Sequence, residues 1–477
     1  MSFIESFFGL IGDLTWGWAL IPFLVIFGCF LTIATNFVQF RYFKRMFRVL
    51  KGDNQSSDPN TISAREALFV SVGGRVGGGN IAGVAVAITL GGPGAVFWMW
   101  AIALVGMATS LVECTLAQAY KRRQPDGSFR GGPARMIIHG LGKDYKWLAV
   151  IYAICLIAAF GIGFPAFQGN TVAGAAENAF GLNRWITGIV LTAGTGWIVF
   201  GGMQRIAKAS DIIVPIMAFG YIAMALIVIV VNIIHVPGVL IDIVSNAFGF
   251  EEAVGGGMGA AIAQGLRRGL FSNEAGLGSA PNVAASADVR HPVSQGITQS
   301  FSVFIDTIVI CTCTALMILL GDVYVPGAEI DGVVLTQDSL ASHLGTWTSY
   351  FLTLAVLLFA FSSIIYNYYL GDNALTVLTK NPQASLVFKL ILMAIVFVGA
   401  VAPGATAIFF FSDPMMGVLA LVNLLALMML FPILRRILRD FDEQRAAGVH
   451  RPRFDPTKFP DLDLDHTAWD HREAAPE

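Results

Sequence analysis

Charge is scarce in this 477-residue chain: Asp, Glu, Lys and Arg together make up 13%, while 55% of residues are hydrophobic and the mean hydropathy is +0.68. A soluble globule carries roughly a quarter charged residues, so the composition excludes one and defines a polytopic membrane protein. Cysteine is also sparse. The five, Cys29, Cys114, Cys155, Cys311 and Cys313, lie in apolar runs without metal-ligand spacing, which makes them small packing residues and predicts no disulfide. The seven histidines fall in loops or the tail, and His139, His235, His291 and His343 lack the spacing of a metal centre. Leu370-Gly371-Asp372 is a faint likeness of an aspartyl-protease element without its partner aspartate. No Ser, Cys or His constellation supports catalysis, so neither an enzyme nor a cofactor is expected. A net charge of −2 offers no footprint for nucleic acid.

What the chain does have is long apolar runs. Crossing a hydrocarbon core of ~30 Å takes ~20 helical residues, and Trp18 to Phe40, Ile212 to Ile234 and Met415 to Leu434 meet this most clearly. The first is too long, and too firmly followed by others, to be a cleaved signal peptide. The hydropathy pattern predicts eleven helices, near 16–40, 63–90, 93–120, 146–174, 184–201, 210–234, 253–288, 293–320, 346–373, 386–402 and 414–436. Threaded alternately, they put Arg41, Lys44, Arg45, Arg48, Lys51, the basic loop from Lys121 to Lys146, and Arg435, Arg436 and Arg439 on one side. The opposite loops carry Asp242, Glu251, Glu252, Asp322, Glu329, Asp331 and Asp338, with Arg184 as the clear basic exception. The positive-inside bias then predicts a cell-membrane protein with an outside amino terminus and a cytoplasmic tail. The tail from 441 turns polar; Asp461, Asp463 and Asp465 are read as a solvated, disordered acidic stretch rather than a cation site.

Two apolar segments are interrupted, at Gly73 to Asn80 (GGRVGGGN) and Ser272 to Asn282 (SNEAGLGSAPN). Backbone released from a helix at bilayer depth finds no partner in lipid, so it must line a protein-enclosed polar space. Helix-packing glycines such as Gly79 with Gly83, or Gly255 with Gly259, explain the glycine but not Asn80, Asn273 and Glu274 beside it. The breaks fall five spans apart, so the second copy of a repeat enters from the opposite face. That pattern predicts a five-plus-five inverted repeat with discontinuous helices 1 and 6 behind one extra leading helix. The predicted organisation is 1–62 for the leading helix and basic loop, 63–234 and 235–440 for the two repeats, and 441–477 for the tail.

The stretches Gly73 to Trp100, Gly131-Gly132-Pro133 and Gly265 to Pro281 (GLRRGLFSNEAGLGSAP) resemble the alanine or glycine:cation symporter family, and the likeness covers most of 15–440. The resemblance implies a bacterial or archaeal sodium-coupled importer of small neutral amino acids. The family usually reads Gly-Thr-Gly-Asn where this chain has Gly77-Gly78-Gly79-Asn80, so one hydroxyl is missing. The resemblance also implies that Gln168 and Asn170 face the substrate. By analogy with related folds, the carbonyls of Gly73 and Val76 and the hydroxyls of Ser362 and Ser363 hold sodium; paired serines can instead bond back to their own helix.

Chemistry assigns the remaining roles. A substrate carboxylate is met by the exposed N–H groups at Gly77, Gly78, Gly79 and Asn80, and an ammonium by carbonyls near Phe271, Ser272 and Asn273. Phe271 caps a small side-chain pocket. Among buried charges, Arg75 is expected to pair with Glu113, Glu274 or Asp306 as a gate latch, and Glu274 with Arg267 or Arg268 is a possible structural pair. A carboxylate such as Asp306 keeps proton coupling open as an alternative to sodium. A channel is the other alternative, disfavoured because a break in both repeats suits alternating access within one chain.

Overall fold

The computed structural model describes residues 3–48, 60–249, 257–325, 332–402 and 406–469. The start of the expected helix 253–288, Lys51, Glu251, Glu252, Glu329, Asp331 and the last eight residues of the tail lie outside the described residues.

The chain is helical nearly throughout. Helix α1 (Phe7–Ala34) ends where Asn36 and Phe37 turn left-handed, at φ 56° and 51°. Helix α2 (Ala64–Arg75) starts on a reciprocal cap, with the Glu66 amide donating to Ser63 Oγ at 3.2 Å and the Ser63 amide to Glu66 Oε2 at 2.7 Å. Then come α3 (Gly79–Gly91), α4 (Gly94–Ala119) and a two-stranded hairpin of β1 (Arg122–Arg123) and β2 (Phe129–Arg130). The first half closes with α5 (Lys143–Phe180), α6 (Arg184–Val199), α7 (Gly202–Val231) and α8 (Val236–Ala247). The second half holds α9 (Gly257–Asn273), α10 (Ala280–Ala284), α11 (Pro292–Leu319), α12 (Gly332–Leu344), α13 (Trp347–Leu378), α14 (Pro382–Val401) and α15 (Thr406–Ala446).

Eight of the described helices are long and apolar enough to cross a membrane, and each matches an expected span. Two of the other expected spans are the interrupted ones: 63–90 is split into α2 and α3, and 253–288 into α9 and α10. The breaks are narrower than the sequence suggests, at 76–77 and 274–279, because helix continues up to Arg75 and Asn273.

The exterior is apolar: Trp18 is 82% exposed and Ile234 86%. The interior is where polar groups gather, with Asn80, Glu113, Asn273, Asp306, Ser363 and Asn423 all at 0%. That distribution inverts the soluble-protein rule and is the signature of a multi-pass membrane protein. Small residues bring the helices together; a Cβ on Gly399 of α14 would stand 2.3 Å from the Ala166 carbonyl of α5.

The tail corrects an expectation. Residues 447–469 lie against the helical body: Phe454 and Trp469 pack ring to ring and are buried, while Asp461 and Asp463 stay exposed, as the sequence suggests, yet each has an ion-pair partner. Asp461 takes Arg436 in a two-pronged bond at 2.5 and 2.7 Å, and Asp463 takes Arg122 at 2.8 Å and His139 at 2.6 Å. Asp465 accepts the Arg123 and Thr467 amides. Trp469 also covers Lys121, whose ammonium lies between the Trp469 and Phe129 rings at 4.3 and 4.2 Å.

Candidate functional site

The first break is held by amides and hydroxyls from outside its own helix. After Arg75 the backbone leaves helical geometry at Val76 (φ −73°, ψ 100°), and α3 begins as a wide π turn over Gly79–Gly83. The Gly77 N–H donates to Asn80 Oδ1 at 2.9 Å, and the Gly78 N–H reaches Gln168 Oε1 on α5 at 3.3 Å. Asn80 Nδ2 donates to Asp306 Oδ1 at 2.7 Å and to Ser272 Oγ at 3.0 Å. Ser272 and Thr307 in turn donate to Asp306 Oδ2 at 2.8 and 2.7 Å. The Asn80 carbonyl accepts Thr314 Oγ1 at 2.9 Å. One buried network therefore joins the start of α3, the end of α9 and the π segment Phe304–Cys311 of α11.

The second break is a turn with Glu274 at φ 54°, unusual for a residue with a side chain, then Gly276 and Gly278 both at 85°. Ser279 Oγ and the Tyr366 hydroxyl donate to Glu274 Oε2 at 2.5 and 3.0 Å. The Gly276 N–H donates to Glu113 Oε1 at 3.3 Å, while Asn423 Nδ2 holds Glu113 Oε2 at 2.9 Å and the Gly276 carbonyl at 3.0 Å. The Tyr152 hydroxyl donates to the Gly278 carbonyl at 2.6 Å. Helix α9 makes its last turn bond from the Glu274 N–H to the Leu270 carbonyl, so the carbonyls of Phe271, Ser272 and Asn273 lie beyond it.

The end of α2 rests on α13. Ser362 Oγ donates to the Gly73 carbonyl at 2.8 Å, and Ser363 Oγ to the carbonyls of Gly74 and Gly73 at 2.9 and 3.2 Å. Four oxygens are thus clustered where hydroxyl rotation exposes lone pairs, a donor set suited to a hard monovalent cation. Phe271 lies beside Gly79 and stacks on Phe164 with ring centres 5.1 Å apart.

The structure therefore brings together Gly77, Gly78, Asn80, Gln168, Ser272 and Asp306, and separately Gly73, Ser362 and Ser363, with Phe271 beside Gly79 and Val76 at the end of α2. Asn170 lies apart from this group. Its amide donates to the carbonyls of Gly399 and Ala402 on the α14 side, because two helical residues on from Gln168 points it to another face. The Asn273 side chain caps the Ala275 N–H and lies beside Gly106 of α4.

Arg75 is also placed away from the expected carboxylates. It makes no ion pair among the described residues; its guanidinium donates to the Gln299 carbonyl at 3.2 Å, to Ser302 Oγ, and to Ser110 Oγ at 3.2 Å. Glu113 and Glu274 are instead taken up by the second break, Asp306 by Asn80 and Ser272, and Arg267 by Asp413 at 3.5 Å. Tyr152, Tyr366, Asn423, Thr314 and Cys311 belong to these networks and were missed from sequence. The available signal was a polar group isolated in an apolar span, most visible for Asn423.

Helices interrupted at the centre of an apolar bundle, with their freed backbone enclosed by polar side chains, define a membrane transporter of the broken-helix type. Residues 1–456 match the model of the sodium:alanine symporter family, and the chain belongs to that family, which comprises transporters rather than enzymes. It is 46% identical to a probable sodium/glutamine symporter of Bacillus subtilis (strain 168), over 97% of this chain and 95% of the relative. It is 36% identical to a sodium/proton-dependent alanine carrier protein of Bacillus sp. (strain PS3), over 83% and 92%. The crystal structure of MhsT in complex with L-phenylalanine shares the fold, with a TM-score of 0.54 at 14% identity, over 78% of this chain and 97% of that one.

Proposed function

We propose that the protein imports small neutral amino acids with sodium by alternating access. Eleven spans, a leading helix and two oppositely inserted repeats of five, form the pathway, with the amino terminus outside and the tail in the cytoplasm. The basic loops after α1 and α4 support that orientation. The observation that carries the reading is that Asn80 of the first break reaches Ser272 at the end of α9, 3.0 Å away, so both broken helices face one enclosed site.

Within it, the N–H groups from Gly77 to Asn80 meet the substrate carboxylate, helped by the amino-terminal dipole of α3. The carbonyls of Phe271, Ser272 and Asn273 accept from its ammonium, Gln168 bonds a polar end, and Phe271 closes the side-chain space. The carbonyls of Gly73 and Val76, with the hydroxyls of Ser362 and Ser363, hold sodium. Each ligand stabilises the closed arrangement when the other is present, and one bundle then rocks to open inward.

A second reading, proton coupling through Asp306, is favoured by a carboxylate that is 0% exposed and bonded to both broken helices. The deciding experiment is uptake of radiolabelled alanine, glycine, serine and glutamine into proteoliposomes with sodium and proton gradients imposed separately. Sodium-driven accumulation is expected. Accumulation driven by protons alone assigns the coupling to the second reading, and gradient-insensitive flux leaves only a channel.

A further inference from the structure

The junction of α1 and α15 holds a second feature, away from the breaks. A pocket of about 370 Å³ lies there, its lining including Arg41, Arg435, Arg439 and the carboxylates Asp442 and Glu443. Asp442 is already committed: it accepts Arg41 at 2.9 Å and the Tyr42 hydroxyl. Arg435 and Arg439, one helical turn apart and exposed, have no ion-pair partner among the described residues. Two unpaired guanidinium groups thus face a single unpaired carboxylate, that of Glu443.

The pocket continues into apolar surface. On α15, Met428, Phe431, Arg435 and Arg439 follow helical spacing along one face. On α1, Ile26, Phe30 and Ile33 do the same, and the Phe30 and Phe431 rings meet at 5.1 Å. Ile33 is 65% exposed and Met428 47%. Seven residues of helix put Met428 roughly 10 Å deeper than Arg435, the separation between acyl chain and headgroup. A free anion would satisfy the arginines alone, whereas one anionic amphiphile meets the arginines and lies along the stripe.

We propose that this groove binds an anionic glycerophospholipid, its phosphate against Arg435 and Arg439 beside Arg41, its acyl chains along Phe30, Ile33 and Met428. The site is independent of the substrate reading. A basic pocket between membrane helices next to an apolar face is the arrangement that retains acidic lipid.

The test is native mass spectrometry of the detergent-purified full chain, titrated with phosphatidylglycerol, phosphatidylcholine of the same acyl chains, and inorganic phosphate. Phosphatidylglycerol is expected to be retained at least about tenfold better than phosphatidylcholine, and inorganic phosphate at equal concentration should not displace it. In R435Q/R439Q retention should weaken about thirtyfold, roughly fivefold for each arginine, while R435K/R439K keeps most of it. Equal retention of the two lipids by the unaltered chain overturns the proposal without any variant. Unchanged retention in R435Q/R439Q, or displacement by phosphate, overturns it as well.

Discussion

The Asn80 carboxamide nitrogen lies 2.7 Å from the Asp306 carboxylate and 3.0 Å from the Ser272 hydroxyl, so one side chain of the first break is tied to α11 and to the end of α9 at once. A hydrogen bond to a charged group is worth about 1.5–3 kcal/mol. Asn80→Ala removes one such tie, the bond to the Ser272 hydroxyl and the acceptor of the Gly77 N–H, and is predicted to lower alanine uptake by at least about tenfold in protein that still purifies as a folded monodisperse species. Uptake kinetics matching the unaltered chain would remove Asn80 from the site.

Ser363 Oγ is within 2.9 Å of the Gly74 carbonyl and 3.2 Å of that of Gly73. If these oxygens hold the coupling ion, Ser363→Ala should raise the sodium concentration for half-maximal uptake by about tenfold, with a smaller change in maximal rate. A sodium titration superimposable on the original refutes the assignment.

Gly77 and Gly78 differ in the room they leave. A Cβ on Gly77 would stand 2.7 Å from both Gln168 Nε2 and Ser363 Oγ, whereas one on Gly78 would meet Gln168, Thr171 and Phe167 at 3.3–3.4 Å. Gly77→Ala should therefore abolish uptake, and Gly78→Thr should leave uptake measurable with an altered ranking of alanine, glycine, serine and glutamine. Identical ranking and affinity in Gly78→Thr would make the missing hydroxyl neutral.

Asn423 supports the second break through Glu113 and Gly276 together. Asn423→Leu leaves a buried carboxylate short of a donor, and is predicted to cost about 1–3 kcal/mol. The check is a lower melting temperature, with half-maximal sodium unchanged. A shift in sodium dependence instead would place Asn423 in the coupling site.

Docking of the tail should depend on acid. Burial works against the Asp463 carboxylate, but the hydrogen bonds from Arg122 and His139 outweigh it and hold its pKa below the ordinary 3.8. Burial lowers His139 below its ordinary 6.5, a shift that the Asp463 bond only partly offsets. Both groups bind fewer protons docked than free, so their contribution is full above about pH 6.5 and declines as acid charges His139, then further below 3.8 as Asp463 is neutralised. Limited proteolysis of the tail is expected to be slow at pH 7.5 and to accelerate as pH falls, after correction for protease activity. A rate that stays constant or falls with acid contradicts this.

The interruptions were legible because glycine and asparagine have no reason to cluster in lipid-spanning sequence unless backbone is being freed. Gln168 and Asn170 show where the linear reading went too far. Two residues apart on α5, they are rotated by about 200° and bond to different elements in this structure, a difference already present in the spacing. Arg75 was assigned a carboxylate because charge seeks charge. The hydroxyls and carbonyl that its two terminal nitrogens reach come from residues 110, 299 and 302, an arrangement invisible without three-dimensional proximity. The partners of the exposed Asp463 were hidden for the same reason, since Arg122 and His139 are more than 300 residues away from it.

The sequence alone determined that this is a multi-pass membrane protein, where eight of its long apolar helices run and, through its glycine and asparagine clusters, which two helices are interrupted, because burial in lipid makes every unpaired backbone group costly and so constrains residue type position by position. Which polar side chains close around those interruptions was decided only by tertiary packing. Hydrogen bonds act over about 3 Å, and the chain brings Asn80, Ser272 and Asp306 within that distance only when α3, α9 and α11 are assembled.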